Sequence, residues 1–151
     1  ERDLTILANS DVHDPVMNYL HLEKMERRPI TLVFARERSE QGIREALDER
    51  RTVAWFRNMM MGEARWLGQL FKGAVTQRII TTGEKNIALQ LTNHSDLEFE
   101  LSPAKEPGTV SQLPPRSSVI LQVPAEKEGP PYLLNTLYTG PTRNLEISLP
   151  L

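Results

Sequence analysis

The residues best suited to chemistry sit near the start of the chain, in Asn9-Ser10-Asp11-Val12-His13-Asp14, directly after the apolar run Leu4–Ala8. On an extended backbone, positions i and i+2 point to the same side, so Asp11 and His13 share a face. A carboxylate and an imidazole converging at the end of a strand suit a borderline divalent metal ion. The end of a strand is also where barrels place their reacting groups. The same stretch has a plainer use, because Ser10, or Asp14 followed by Pro15, has the chemistry of a helix cap.

The remaining candidates have simpler readings. His21 and His94 lie outside any metal-ligand spacing, the first as a surface or core-edge histidine and the second in a turn. Arg27-Arg28, Arg36, Arg38 and Arg50-Arg51 have the geometry to hold phosphate oxygens bidentately. Acidic residues interleave with them, which favours a solvated, salt-bridged face. Arg36 is the exception, because it follows the apolar run Ile30–Ala35 directly and is placed to face the mouth of a barrel. Met59-Met60-Met61 reads as core filler or a loop edge. Asn93-His94-Ser95 satisfies the glycosylation spacing but reads as turn chemistry. Gly83 and Gly108 form no phosphate-cradling pattern, and the sparse aromatics Phe99, Tyr132 and Tyr138 do not make a base- or sugar-stacking platform.

Composition bounds the possibilities. The 151 residues carry 18 Lys+Arg against 20 Asp+Glu, for a formal charge of −2, which argues against nucleic acid or an acidic membrane as partner. The absence of cysteine excludes disulfides, a thiolate zinc site and a cysteine nucleophile. No apolar run approaches the roughly 18 residues of a membrane span. The first residues, Glu1-Arg2-Asp3, are neither an initiator methionine nor a signal peptide, so a processed or truncated chain is expected and no compartment is indicated.

The elements that must position Asp11 and His13 differ between the two parts of the chain. Of 11 prolines, only Pro15 and Pro29 precede residue 103. Charge is dense up to residue 72 and sparse after it, so a boundary is expected near Lys72–Val75. The first part predicts a strand at Leu4–Ala8 and a doubly buried strand at Ile30–Ala35. Ser39 then caps a helix with Ile43, Ala46 and Leu47 on its inner face and a Glu40–Arg44 pair outside. A strand at Thr52–Phe56 follows, which makes a βαβ pattern of the kind found in parallel sheets and barrels. A second helix runs from about Gly62 to Lys72, with Trp66, Leu67, Leu70 and Phe71 inward and Gly73 as its C-terminal cap. In the second part, alternation predicts a hairpin of Asn86–Thr92 with Leu97–Leu101, then strands at Ser117–Val123, Tyr132–Thr139 and Leu145–Leu149. Proline pairs at 114–115 and 130–131 fall in connections or at edges, and the set suggests a small β-sandwich.

Ser10-Asp11-Val12-His13 after a strand, a polar excursion, and then RPITLVFARERSEQGIREALDERRTVAWF resembles the end of the PHP (polymerase and histidinol phosphatase) phosphoesterases. The resemblance is closest to the phosphodiesterase-like branch with an extra β domain and covers roughly residues 4–75. It implies an α/β part followed by an all-β part: residues 1–74 as the terminal βαβ portion of a distorted (β/α)7 barrel, and residues 75–151 as a small antiparallel β-sandwich. It implies divalent metal ions (Mn, Zn or Fe) that activate water against phosphate mono- or diesters, and it carries the family's last metal motif, D-x-H, onto Asp11 and His13. The family's earlier H-x-H, Glu and further His ligands have no counterpart here. The chain is therefore expected to be an enzyme fragment that is inactive alone and completed by a missing N-terminal part of the barrel. The open barrel edge further suggests dimerisation, packing against its own sandwich, or aggregation. A reading of another class, in which the β part is a non-catalytic binding or assembly module, would place the function in residues 76–151.

Overall fold

The computed structural model describes residues 4–10, 13, 28–125 and 129–150. The elements run β1 (Ile30–Val33), α1 (Glu40–Asp48), β2 (Thr52–Phe56), β3 (Met59–Gly62), α2 (Ala64–Ala74) and β4 (Val75–Thr82). They continue with β5 (Asn86–Asn93), β6 (Phe99–Pro103), β7 (Ser111–Leu113), β8 (Ser118–Pro124), β9 (Pro131–Gly140) and β10 (Arg143–Ser148). Nearly half of the described residues are strand, in two sheets. One has seven strands in the order β1-β2-β3-β9-β6-β7, with β10 also on β9; the other has three in the order β4-β5-β8.

α1 forms where the sequence predicts. The Ser39 hydroxyl accepts the Gly42 amide at 2.9 Å, and Arg44 reaches back to Glu40 at 2.7 Å. Its end is closed by amide bonds from Arg50 to the Leu47 carbonyl and from Arg51 to the Ala46 carbonyl. This is the Schellman arrangement, and Arg50 takes the left-handed position (φ 56°) that glycine usually occupies. Ala46 is fully buried, whereas Ile43, expected beside it, is 45% exposed. The turn after α1 returns the chain against β1, and β2 pairs with β1 antiparallel from Ile30↔Trp55 to Val33↔Thr52. The βαβ expectation is thereby corrected. An intervening helix is compatible with either strand direction, because the helical pattern does not encode which way the next strand runs.

β3 pairs antiparallel with β2 through a turn at Arg57 (φ 53°), then parallel with β9 at Met60↔Leu137 and Met61↔Tyr138. This strand has no alternation to reveal it, since it reads Met-Met-Met-Gly; only Met60 of the three methionines is buried. α2 turns Leu67 and Phe71, one helical turn apart, fully into the core. Phe71 meets Phe99 of β6 edge to face at 5.1 Å. Gly73 lies within α2 rather than capping it, and the helix passes straight into β4 at Val75. The division expected between residues 74 and 75 falls at that junction, which the larger sheet spans through β3 and β9. One hydrophobic cluster joins Val53, Met60, Leu67 and Phe71 to Leu89, Leu101, Leu134 and Leu145. Burial within it pushes the Tyr132 phenol above the ordinary tyrosine range.

The strands expected at 86–92, 117–123, 132–139 and 145–149 are present as β5, β8, β9 and β10, but the hairpin is not. β5 pairs with β4 and β8, whereas β6 pairs with β7 and β9, so residues 94–98 cross from one sheet to the other. Asn93, 1% exposed, holds the crossing. Its side-chain amide donates to the carbonyls of Leu97 (2.5 Å), Pro114 (3.0 Å) and Leu113 (3.3 Å). Its Oδ1 accepts from the Ser95 amide (2.9 Å) and hydroxyl (2.7 Å). The glycosylation spacing is thus structural, because the amide that a glycan would modify is buried and bonded.

Two outcomes test this account. Asn93→Ala leaves several buried polar groups without partners and should cost about 3 kcal/mol in urea unfolding; a loss below about 0.5 kcal/mol would contradict the role assigned to the corner. Arg50→Gly should stabilise the end of α1 by about 0.5–1 kcal/mol by relieving the left-handed backbone, measured the same way.

Candidate metal centre

Residues 4–10, which lead to Asp11 and His13, form no regular element, so the strand expected at Leu4–Ala8 is corrected to a tethered run. Threonine hydroxyls supply the bonds a neighbouring strand would otherwise make. Thr5 donates to the Leu47 carbonyl at 2.8 Å, and Thr52 donates to the Ile6 carbonyl at 2.8 Å. The Ala8 amide donates to the Thr31 hydroxyl at 2.9 Å, and the Arg28 guanidinium donates to the Ser10 hydroxyl. As the segment advances from residue 8 to 10 its partners descend from 31 to 28, so it runs counter to β1. Leu4 and Leu7 remain 69% and 54% exposed, and Ile30 and Val33 of β1 are each 36% exposed. The strand expected to be buried on both faces at Ile30–Ala35 is thereby corrected: β1 ends at Val33 and is exposed at both ends.

His13 is exposed and takes part in an interaction of its own. Asp11 and His21 lie outside the described residues. Among the described residues, no three His, Cys, Asp or Glu side chains gather closely enough to hold a metal ion. The Asp-and-His pair of this sequence has the right donor chemistry for a borderline divalent ion but falls short of the three protein ligands of a catalytic centre. His94 is occupied at the sheet corner, where its Nε2 shares a hydrogen bond with the Thr76 hydroxyl at 2.8 Å.

The arginines behave largely as the interleaved acids suggest. Arg36 is an exposed side chain 3.3 Å from Glu45, Arg50 meets Glu63 at 3.4 Å, and Arg65 meets Glu63 at 2.8 Å. Arg51 is different. It is 4% exposed, bonded to Glu45 at 2.9 Å and to Glu49 at 3.3 Å. Sequence alone places it in a charged run with Arg50, and only the return of the chain beneath α1 buries it.

No protein-family model matches the chain, and no curated protein does. The fold is similar to that of a solved two-domain protein from Bacteroides vulgatus ATCC 8482 containing a predicted PHP-like metal-dependent phosphoesterase, with a TM-score of 0.86 and 29% sequence identity. The likeness covers 97% of this chain and 45% of that one, so this chain spans less than half of that protein's length. No helix among the described residues is long and apolar enough to cross a membrane. The resemblance carried by residues 4–75 therefore extends through the β part: over nearly its whole length the chain is similar to a part of a PHP-like two-domain protein.

Proposed function

We propose that this chain is the C-terminal part of a PHP-like metal-dependent phosphoesterase in which Asp11 and His13 are metal ligands completed by residues outside this sequence. The observation that carries the reading is the likeness to a two-domain protein containing such a phosphoesterase, at 29% identity over 97% of the chain. The position of the tethered segment supports it, since Thr31, Thr52 and Arg28 bind residues immediately before the Asp11-x-His13 pair. In this reading a bound divalent ion supplies Lewis-acid activation of water against a phosphate ester. The chain's own residues orient: the hydroxyl tethers set where the carboxylate and imidazole stand, and the β part braces that edge through the β3–β9 pairing. The exposed apolar residues Leu4, Leu7, Ile30 and Val33 are then the surface on which the rest of the barrel packs.

The test is Asp11→Ala with His13→Ala in the natural polypeptide. Phosphodiester hydrolysis should fall by at least about 100-fold, with metal content reduced and the circular dichroism spectrum kept. Unchanged metal content and turnover would remove the assignment of the two residues. For this chain alone, calorimetric titration with Mn²⁺ or Zn²⁺ should give dissociation constants weaker than about 1 μM; a tighter site would mean that the ligand set is complete within the chain.

A further inference from the structure

A cleft of about 420 Å³ opens between the end of β1, the turn after α1 and the first turn of α2. Its walls include Phe34, Arg36, Glu49, Arg51, Arg65 and Trp66, and its three guanidinium groups pair with the carboxylates of Glu45, Glu49 and Glu63. Two of these residues hold a buried N–H that has no acceptor: Nε of Arg51 and Nε1 of Trp66. Leaving such a donor unpaired is costly, and native structures rarely carry one without a reason. Both belong to residues that line this cleft, and both atoms are covered from solvent, so an acceptor reaches them when an exposed wall side chain moves aside.

The surroundings specify the kind of acceptor. Trp66 stacks on Phe34 with centroids 5.0 Å apart, and the Arg65 guanidinium lies 4.7 Å from the Trp66 ring centroid, so the indole and this cation sit side by side. The side chains of Arg36 and Arg65 are 73% and 55% exposed, and their pairings with Glu45 and Glu63 are surface contacts. Such pairs contribute about 0–1 kcal/mol, so both guanidinium groups are free to exchange a carboxylate partner for a ligand. Arg51 is anchored by Glu45 and Glu49 and contributes a fixed positive charge. A rigid buried cation, two mobile cations and an unpaired indole donor form a receptor for an oxygen-rich anion.

We propose that this cleft is an oxyanion-binding site that takes a phosphate or carboxylate group. The site uses neither Asp11 nor His13, so it stands or falls separately from the metal reading.

The chain's 2 tryptophans make the test direct. The Trp55 indole already donates to the Arg57 carbonyl at 2.7 Å and serves as an internal control. In ¹H–¹⁵N spectra of the full chain, inorganic phosphate should shift the Trp66 indole signal saturably and leave that of Trp55 in place. Sodium chloride at equal ionic strength should shift neither, and Trp66→Phe assigns the signal. The double variant Arg36→Gln/Arg65→Gln alters only exposed side chains, and it should weaken the apparent affinity at least tenfold while the Trp55 signal stays in place. A saturable response to acetate but not to phosphate would identify the anion as a carboxylate. No saturable shift with either anion, equal movement of both indoles, or an unaltered affinity in the double variant would overturn the proposal.

Discussion

The arrangement of the two sheets depends on one buried amide. Asn93 ends β5, and its side chain bonds to the 95–97 crossing and to the carbonyls of Leu113 and Pro114 between β7 and β8. Its own amide donates to Ser117, and the next amide, of His94, donates to Ala74 at the end of α2. Three segments distant in sequence thus meet at a residue that is 1% exposed. A buried polar group of this kind is costly unless every bond is made, so it tolerates only one arrangement of its neighbours. An apolar side chain there would fill the space without choosing which strands it joins.

Around that corner the packing is a matter of volume. α2 inserts Leu67 and Phe71 where both sheets contribute side chains, and Phe99 closes on Phe71 from β6. One strand, β9, then carries much of the larger sheet. β6 and β3 share one of its edges in succession, at Tyr132–Leu134 and Leu137–Tyr138, while β10 lies along the other. The β part is therefore continuous by hydrogen bonds with the β1–β2–β3 unit beside which residues 5–10 are tethered. Anything that loosens β9 is transmitted to that edge through bonded backbone.

Two features near this edge are positioned in physically different ways. The tethered segment is positioned by hydroxyl-to-backbone bonds, each from a different element, which fixes a path without the cooperativity of a ladder. The arginine-lined cleft is positioned by burial instead. Arg51 is locked by two carboxylates, and Trp66 is held by stacking on Phe34. Ion pairs held in a poorly hydrated place interact more strongly than the exposed pairs nearby, which water and salt screen.

By itself the sequence determined where both helices and the strands β1, β2, β5, β6, β8, β9 and β10 lie, but not β4 or β7, and it pointed to a strand at Leu4–Ala8 that does not form. The alternation in β5, β8, β9 and β10, the Ser39 cap, the Leu67/Phe71 stripe and the Asp11-x-His13 spacing are all local patterns, set by side-chain periodicity and capping chemistry. The resemblance in residues 4–75 was legible too, because it rests on short motifs in order. Pairing was not. Alternation names a face but no partner, so β5 and β6 read as a hairpin although they belong to different sheets. The helix between β1 and β2 likewise left their antiparallel sense undecided. β3 was invisible because Met-Met-Met-Gly has no period, and the burial of Arg51 could not be told from the exposure of Arg50 beside it. These were decided only by tertiary structure, where bonds between residues far apart in sequence form only once the whole core has closed around them.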